Sequence, residues 1–205
     1  IYGADLGYLN IYEKTGNSVD VLATIKRLAD GLRVGQYFDF ETLKRLSVSK
    51  TNLDSLLFLS VNSYNQIDRY LRENNRGSIS ALMIAGVWIE GQYLATQVAL
   101  TNNESILRDR IGEQKVIIGD LLMLLRPYRD SGEEYASLYS LMEGLSQKYA
   151  GVKVSYRLGE PETTEEDGRL VMVQHEESIV EMSDSQLAEI AEMSKEVRNK
   201  LISGN

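Results

Sequence analysis

The chain has 205 residues but no cysteine and a single histidine, His175. Without cysteine there is no disulfide, no thiolate metal site and no cysteine nucleophile. One imidazole excludes any site needing two in one chain, and no Glu-x-x-His pair is present to build a di-iron helical bundle. Basic residues are outnumbered, 22 against 30, and the resulting net charge of −8 argues against nucleic acid as a partner. Proline is scarce, at two. Phenylalanine is scarce as well, at three against twelve tyrosines. Tyrosine suits positions that are half apolar and half wet, either core edges or partner surfaces. What remains has the apolar and charged balance of a globular chain long enough for one sizeable core or two small ones.

Familiar catalytic patterns are missing too. There is no G-x-G-x-x-G, P-loop, H-E-x-x-H or G-x-S-x-G. Ser47-Val-Ser-Lys50 matches S-x-x-K, a pattern short enough to arise by chance, and lacks its S-D-N and K-T-G companions. A two-carboxylate glycosidase stays open, since it needs only paired acids in a cleft. No cofactor or metal is expected, and the missing motifs weigh against an enzyme.

The most apolar stretch, 81–100, approaches the length of a membrane span but contains Glu90, Gln92 and Gln97. Those polar groups favour a buried core helix over a span. It is apolar nearly all round, which places it at the centre of a fold. Gly86 and Gly91 within it each cost about 1 kcal/mol relative to alanine. Glu90 is its only carboxylate or base; Tyr93 and Gln97 follow at i+3 and i+7, and Trp88 lies close by on another face. Buried, Glu90 must hydrogen-bond, pair with a cation or carry a raised pKa. The four residues are the candidate ligand-binding cluster, and a structural carboxylate satisfied by a neighbouring helix is the competing reading.

Helical spacing dominates elsewhere. Asn17 or Ser18 caps a helix with Val21, Leu22, Ile25, Leu28, Ala29 and Leu32 on one face, which Gly31 or Gly35 can end. Asp39 caps a short helix. Thr51 with Asp54 opens a long one carrying Leu53, Leu57, Val61, Tyr64, Ile67 and Leu71. Asn74-Asn75-Arg76-Gly77 is a turn. Ser78, then Asn102 or Asn103, then Ser131 with Glu134, open the next three helices. Ser183 with Gln186 caps the last, through Leu187, Ile190, Ala191, Met193, Val197 and Leu201.

The long helices near 51–75, 78–101, 103–127 and 131–150 are joined by short loops, which forces antiparallel neighbours. The expected fold is therefore all-α, a mostly antiparallel bundle of about seven helices. Only 152–158 and 170–174 read as strands, giving a possible small β-hairpin near 152–174. Between Glu160 and Glu181, eight acidic residues face Arg169 alone, so this segment carries −7 and the remainder −1. It reads as a self-repelling extended connector. His175 within it reads as a solvated histidine. The expected organisation is a single domain: a bundle over 1–151, an acidic connector or hairpin over 152–182, and a C-terminal helix over 183–205 packing on the bundle.

Three stretches, Tyr2-Gly-Ala-Asp-Leu-Gly-Tyr-Leu9, Tyr37-Phe-Asp-Phe-Glu-Thr-Leu-Lys-Arg-Leu46 and the helix over 80–97, resemble an uncharacterised group of helical lipoproteins exported by Bacteroidetes. The similarity covers the first half to two-thirds of the chain and attaches no activity to any residue. It implies a cell-envelope location, periplasm-facing or on the outer membrane. Attachment would be through an N-terminal lipid anchor removed from this sequence, which starts at Ile1 and is read as trimmed or processed.

Three functional readings follow. The first is a non-enzymatic, envelope-associated module that binds a protein partner or small ligand. The second is an enzyme using Glu90 as acid or base with neighbouring tyrosines, and a fully enclosed and satisfied Glu90 argues against it. The third is a structural or oligomerising protein that docks through its last helix. That reading weakens if the helix spends its apolar face on its own bundle. Oligomeric state is not readable from the sequence.

Overall fold

The computed structural model describes residues 1–12, 14–47, 53–102, 104–159, 161–166, 169–174 and 176–203. Eight α-helices are present among them: α1 (Tyr2–Ile11), α2 (Thr15–Gly31), α3 (Phe40–Ser47), α4 (Leu53–Glu73), α5 (Gly77–Thr101), α6 (Ser105–Leu125), α7 (Glu133–Lys148) and α8 (Asp184–Ser203). Four strands, β1 (Lys153–Leu158), β2 (Glu162–Glu166), β3 (Arg169–Val173) and β4 (Glu176–Glu181), separate α7 from α8. The fold is mostly helical with a small antiparallel element, as the periodicity predicts. The chain divides into two compact units, Ile1–Gly91 and Gln92–Asn205, with the boundary inside α5.

In the first unit, Leu6, Leu22 and Leu43 form one buried cluster, and Ala29, Val34, Ile67 and Leu71 form a second. Phe38 and Phe40 pack against both, with ring centroids 5.1 Å apart. Two helix ends set the turns that bring these residues together. α2 ends with Arg33 at φ 57° and α4 with Asn75 at φ 58°. At each end the two following amides reach back into the last turn, Arg33 N–H to Asp30 and Val34 N–H to Ala29, then Asn75 N–H to Arg72 and Arg76 N–H to Leu71. Both are Schellman closures, and in the first the Val34–Ala29 pair lies inside the buried cluster. α2 thus stops at Gly31, one of the two expected stops, and the left-handed residue that closes it is Arg33 and not a glycine.

Caps divide in the same way. Asp39 accepts the Thr42 amide at 3.0 Å, and Ser183 with Gln186 closes a reciprocal capping box, both as expected. Ser18 instead lies inside α2 and donates back to the Lys14 carbonyl, and Gly132 rather than Ser131 precedes α7. Thr51, Asn103 and residues 48–50 of the S-x-x-K match lie outside the described residues, as do the side chains of Leu53 and Leu57. Val61 is 58% exposed, so α4 buries a narrower face than its spacing predicts. α5 buries a stripe through Ala81, Ala85, Ile89, Gln92, Thr96 and Ala99, whereas Ile84 and Leu100 are exposed. That corrects the expectation of burial all round.

The second unit has a seam at helical spacing: Ile111, Ile118, Leu121 and Leu125 on α6, Leu138, Met142, Leu145 and Tyr149 on and just after α7, and Leu187, Ile190, Ala191 and Val197 on α8. α7 lies against both α6 and α8. Burying each of the leucine, isoleucine, valine and methionine side chains contributes roughly 1.5–3 kcal/mol. α8 therefore uses its apolar face within its own unit.

The acidic segment takes the hairpin form of the two expected, a strand-forming ribbon and not a bare connector, with a pairing that differs from the one expected. β1 pairs with β4, Lys153 opposite Glu181 through Leu158 opposite Glu176, and β2 pairs with β3. The strand expected at 170–174 exists, but its partner is the acidic β2, not β1. Lys153 pairs with Glu181 and Arg157 with Glu177 across the ribbon, neutralising acids that the sequence count left unpartnered. His175 and Asp167-Gly168 lie outside the described residues.

α6 is the seat of this ribbon. Ser178 donates to the Glu113 carboxylate, Arg108 reaches the Met182 carbonyl and Asp184, and Lys115 donates to the carbonyls of Ala150 and Val152. The Ser178 hydroxyl, against the opposing pull of desolvation and helped by Arg110, holds the Glu113 carboxyl below its ordinary value. At Gly112 a Cβ would overlap the Val180 side chain, so only glycine allows β4 this close. Gly112→Ala is expected to destabilise the protein by about 1–3 kcal/mol in urea unfolding. Adding Val180→Ala should recover part of that loss, whereas strictly additive losses would contradict the contact.

Candidate functional site

The four residues singled out on α5 have different surroundings. Glu90 is fully buried and engaged by another group of the protein. Trp88, also engaged, and Gln97 are half-buried. Tyr93, half-buried, has the Arg198 guanidinium of α8 over its ring at 4.7 Å. An enclosed, satisfied carboxylate is what a structural role requires, and it weighs against Glu90 as an exposed acid or base.

Sequence reasoning passed over the residue that makes the firmest polar contact on this helix. Gln92 is buried, and its Nε2 donates to the Tyr149 hydroxyl at 2.5 Å. Thr96, one turn on, returns its hydroxyl proton to the backbone carbonyls of Gln92 and Tyr93. Burial raises the Tyr149 phenol above its ordinary pKa, so it stays neutral. The clue available in the sequence was a glutamine in an otherwise apolar run, spaced to share the buried stripe.

A cavity lies elsewhere, within the first unit. Its volume is about 170 Å³, and its walls include Ile25 and Leu32 of α2, Val34, Phe38, Tyr64 of α4 and Met83 and Val87 of α5. Neither Glu90 nor Trp88, Tyr93 or Gln97 lines it. The lining side chains are apolar apart from the hydroxyls of Tyr2 and Tyr64. Tyr2 is 45% exposed, so its hydroxyl is available to water. Tyr64 is different. Desolvation raises its pKa, its ring meets Phe38 edge-on at 6.2 Å, and its hydroxyl abuts Gly3, where a Cβ would overlap it. No hydrogen bond to that hydroxyl occurs among the described residues.

Neither a family model, a curated protein nor a solved structure matches the chain. The cavity offers shape, apolar surface and the Tyr64 hydroxyl, and no carboxylate or basic side chain is among its walls. Such a site suits a small, largely apolar molecule.

A second concavity runs along α6 and the ribbon, past Ile106, Asp109, Arg110, Glu113, Tyr156, Glu177 and Ser178. Within it Arg110 pairs with Glu113, which also accepts the Ser178 hydroxyl.

Burial raises the phenols of both Tyr64 and Tyr149, and the sign of the linkage follows. Each contributes stability that is complete below the ordinary phenol pKa of about 10 and is lost as pH rises beyond it, because only the unfolded chain ionises readily. Unfolding free energy should therefore fall between about pH 10 and 11. Tyr149→Phe should flatten that slope, and an unchanged slope would contradict burial of this phenol. Gln92→Leu should destabilise by about 1–3 kcal/mol at neutral pH by stranding the Tyr149 hydroxyl.

Proposed function

We propose that this chain is a non-enzymatic, envelope-associated binding module whose ligand is a small molecule held in the cavity of the first unit. The observation that carries the reading is the cavity itself: about 170 Å³ of mostly apolar space between α2, α4 and α5. Apolar pockets of this kind are the usual form of small-ligand sites. The envelope location rests on the resemblance of the 2–9, 37–46 and 80–97 stretches to exported lipoproteins. That no helix among the described residues is long and apolar enough to cross a membrane is compatible with attachment through a lipid anchor.

Of the two partners considered, the small ligand is favoured over a protein because the apolar surface is concave and of one-ring size. The docking alternative relied on α8, whose apolar residues Leu187, Ile190, Ala191 and Val197 are buried in the second unit.

The reading is tested by titrating a panel of one-ring compounds into the protein and following its methyl resonances. Saturable shifts at Ile25, Met83 and Val87, with each compound recovered chemically unchanged, are expected. No shift from any compound would overturn the ligand site, and a product detected by mass spectrometry would overturn the non-enzymatic part. Metabolic labelling of the natural gene product with palmitate should give a labelled, membrane-fractionating protein, and an unlabelled protein would overturn the envelope assignment.

A further inference from the structure

We infer that the cavity of the first unit selects a neutral, one-ring molecule carrying a single hydrogen-bond acceptor, which the Tyr64 hydroxyl engages. The inference rests on the binding-module reading and adds the chemical class of the ligand.

Size comes first. A cavity of about 170 Å³ is close to the roughly 150 Å³ engineered apolar cavity that takes benzene, which matches a one-ring molecule of about ten non-hydrogen atoms. Charge comes second. No lining side chain carries a charge, and Ile1, also in the wall, is already engaged by another group of the protein, so an ionised carboxylate or amine would lose its hydration without replacement.

The hydroxyl decides the rest. Tyr64 keeps its proton, since burial raises its pKa, and its O–H has no acceptor among the described residues. A buried donor without a partner is costly, and natural structures nearly always satisfy it. Water can serve in the empty site, and a carbonyl or ether oxygen on a bound ring serves in the filled one. Gly3 completes the seat: the absence of a side chain there leaves room for the hydroxyl at this end of the cavity.

The test uses two isosteres of nine non-hydrogen atoms, acetophenone and α-methylstyrene, with benzoate as the charged control. Each is titrated by NMR into wild type and into Tyr64→Phe, a substitution that keeps the ring. Acetophenone should bind the wild type with shifts at Ile25, Phe38 and Val87. Tyr64→Phe should weaken it about tenfold while leaving α-methylstyrene within about twofold. Benzoate should show no binding at neutral pH. Equal effects of the substitution on the two isosteres, or benzoate binding as tightly as the ketone, would overturn this inference and leave the cavity reading intact. If neither isostere binds a wild type that is folded by its NMR spectrum, the cavity reading itself fails.

Discussion

A hydroxyl in apolar surroundings needs a partner, because the water it gave up on burial is not replaced by carbon. That constraint is met at Tyr149, where Gln92 reaches across from α5, and it is left open at Tyr64, which faces a cavity. Both phenols are held neutral by burial. The first fastens α7 to α5, and the second lies beside a space otherwise lined mainly by hydrocarbon.

The same reasoning accounts for the acidic ribbon. Alone, the 160–181 segment would repel itself, but β1 brings Lys153 and Arg157 opposite Glu181 and Glu177. α6 then supplies anchors at one-turn intervals, Arg108, Gly112 and Lys115, two of them reaching backbone carbonyls at the ribbon's base and one providing empty space. Exposed ion pairs of this sort add little stability individually. Their role is to remove the repulsion that would otherwise oppose pairing.

Much of the helical framework was legible in the sequence because it rests on local signals. Leu138, Met142, Leu145 and Tyr149 announce a buried face by spacing, and Asp39 and Ser183–Gln186 announce caps by residue type. What could not be read depends on contacts distant in the chain. β1 and β4 are joined across the intervening acidic pair β2–β3, so the sequence offered a connector or one hairpin where register makes two strand pairs. α1 carries no cap signal and was not anticipated. The cavity was missed for the same reason: Tyr64 looked like one more residue of a core face, and nothing local distinguishes a hydroxyl that faces protein from one that faces space. Glu90 drew attention as a charge in an apolar run, yet a charge so placed must be satisfied for the chain to fold at all.

The most direct measurement is a crystal of the protein pressurised with xenon, which enters dry apolar cavities of this size irrespective of hydrogen bonding. A xenon atom between Ile25, Phe38, Met83 and Val87 is the expected result. Its absence there, in crystals where xenon occupies other sites, would contradict the existence of an apolar ligand cavity in the first unit.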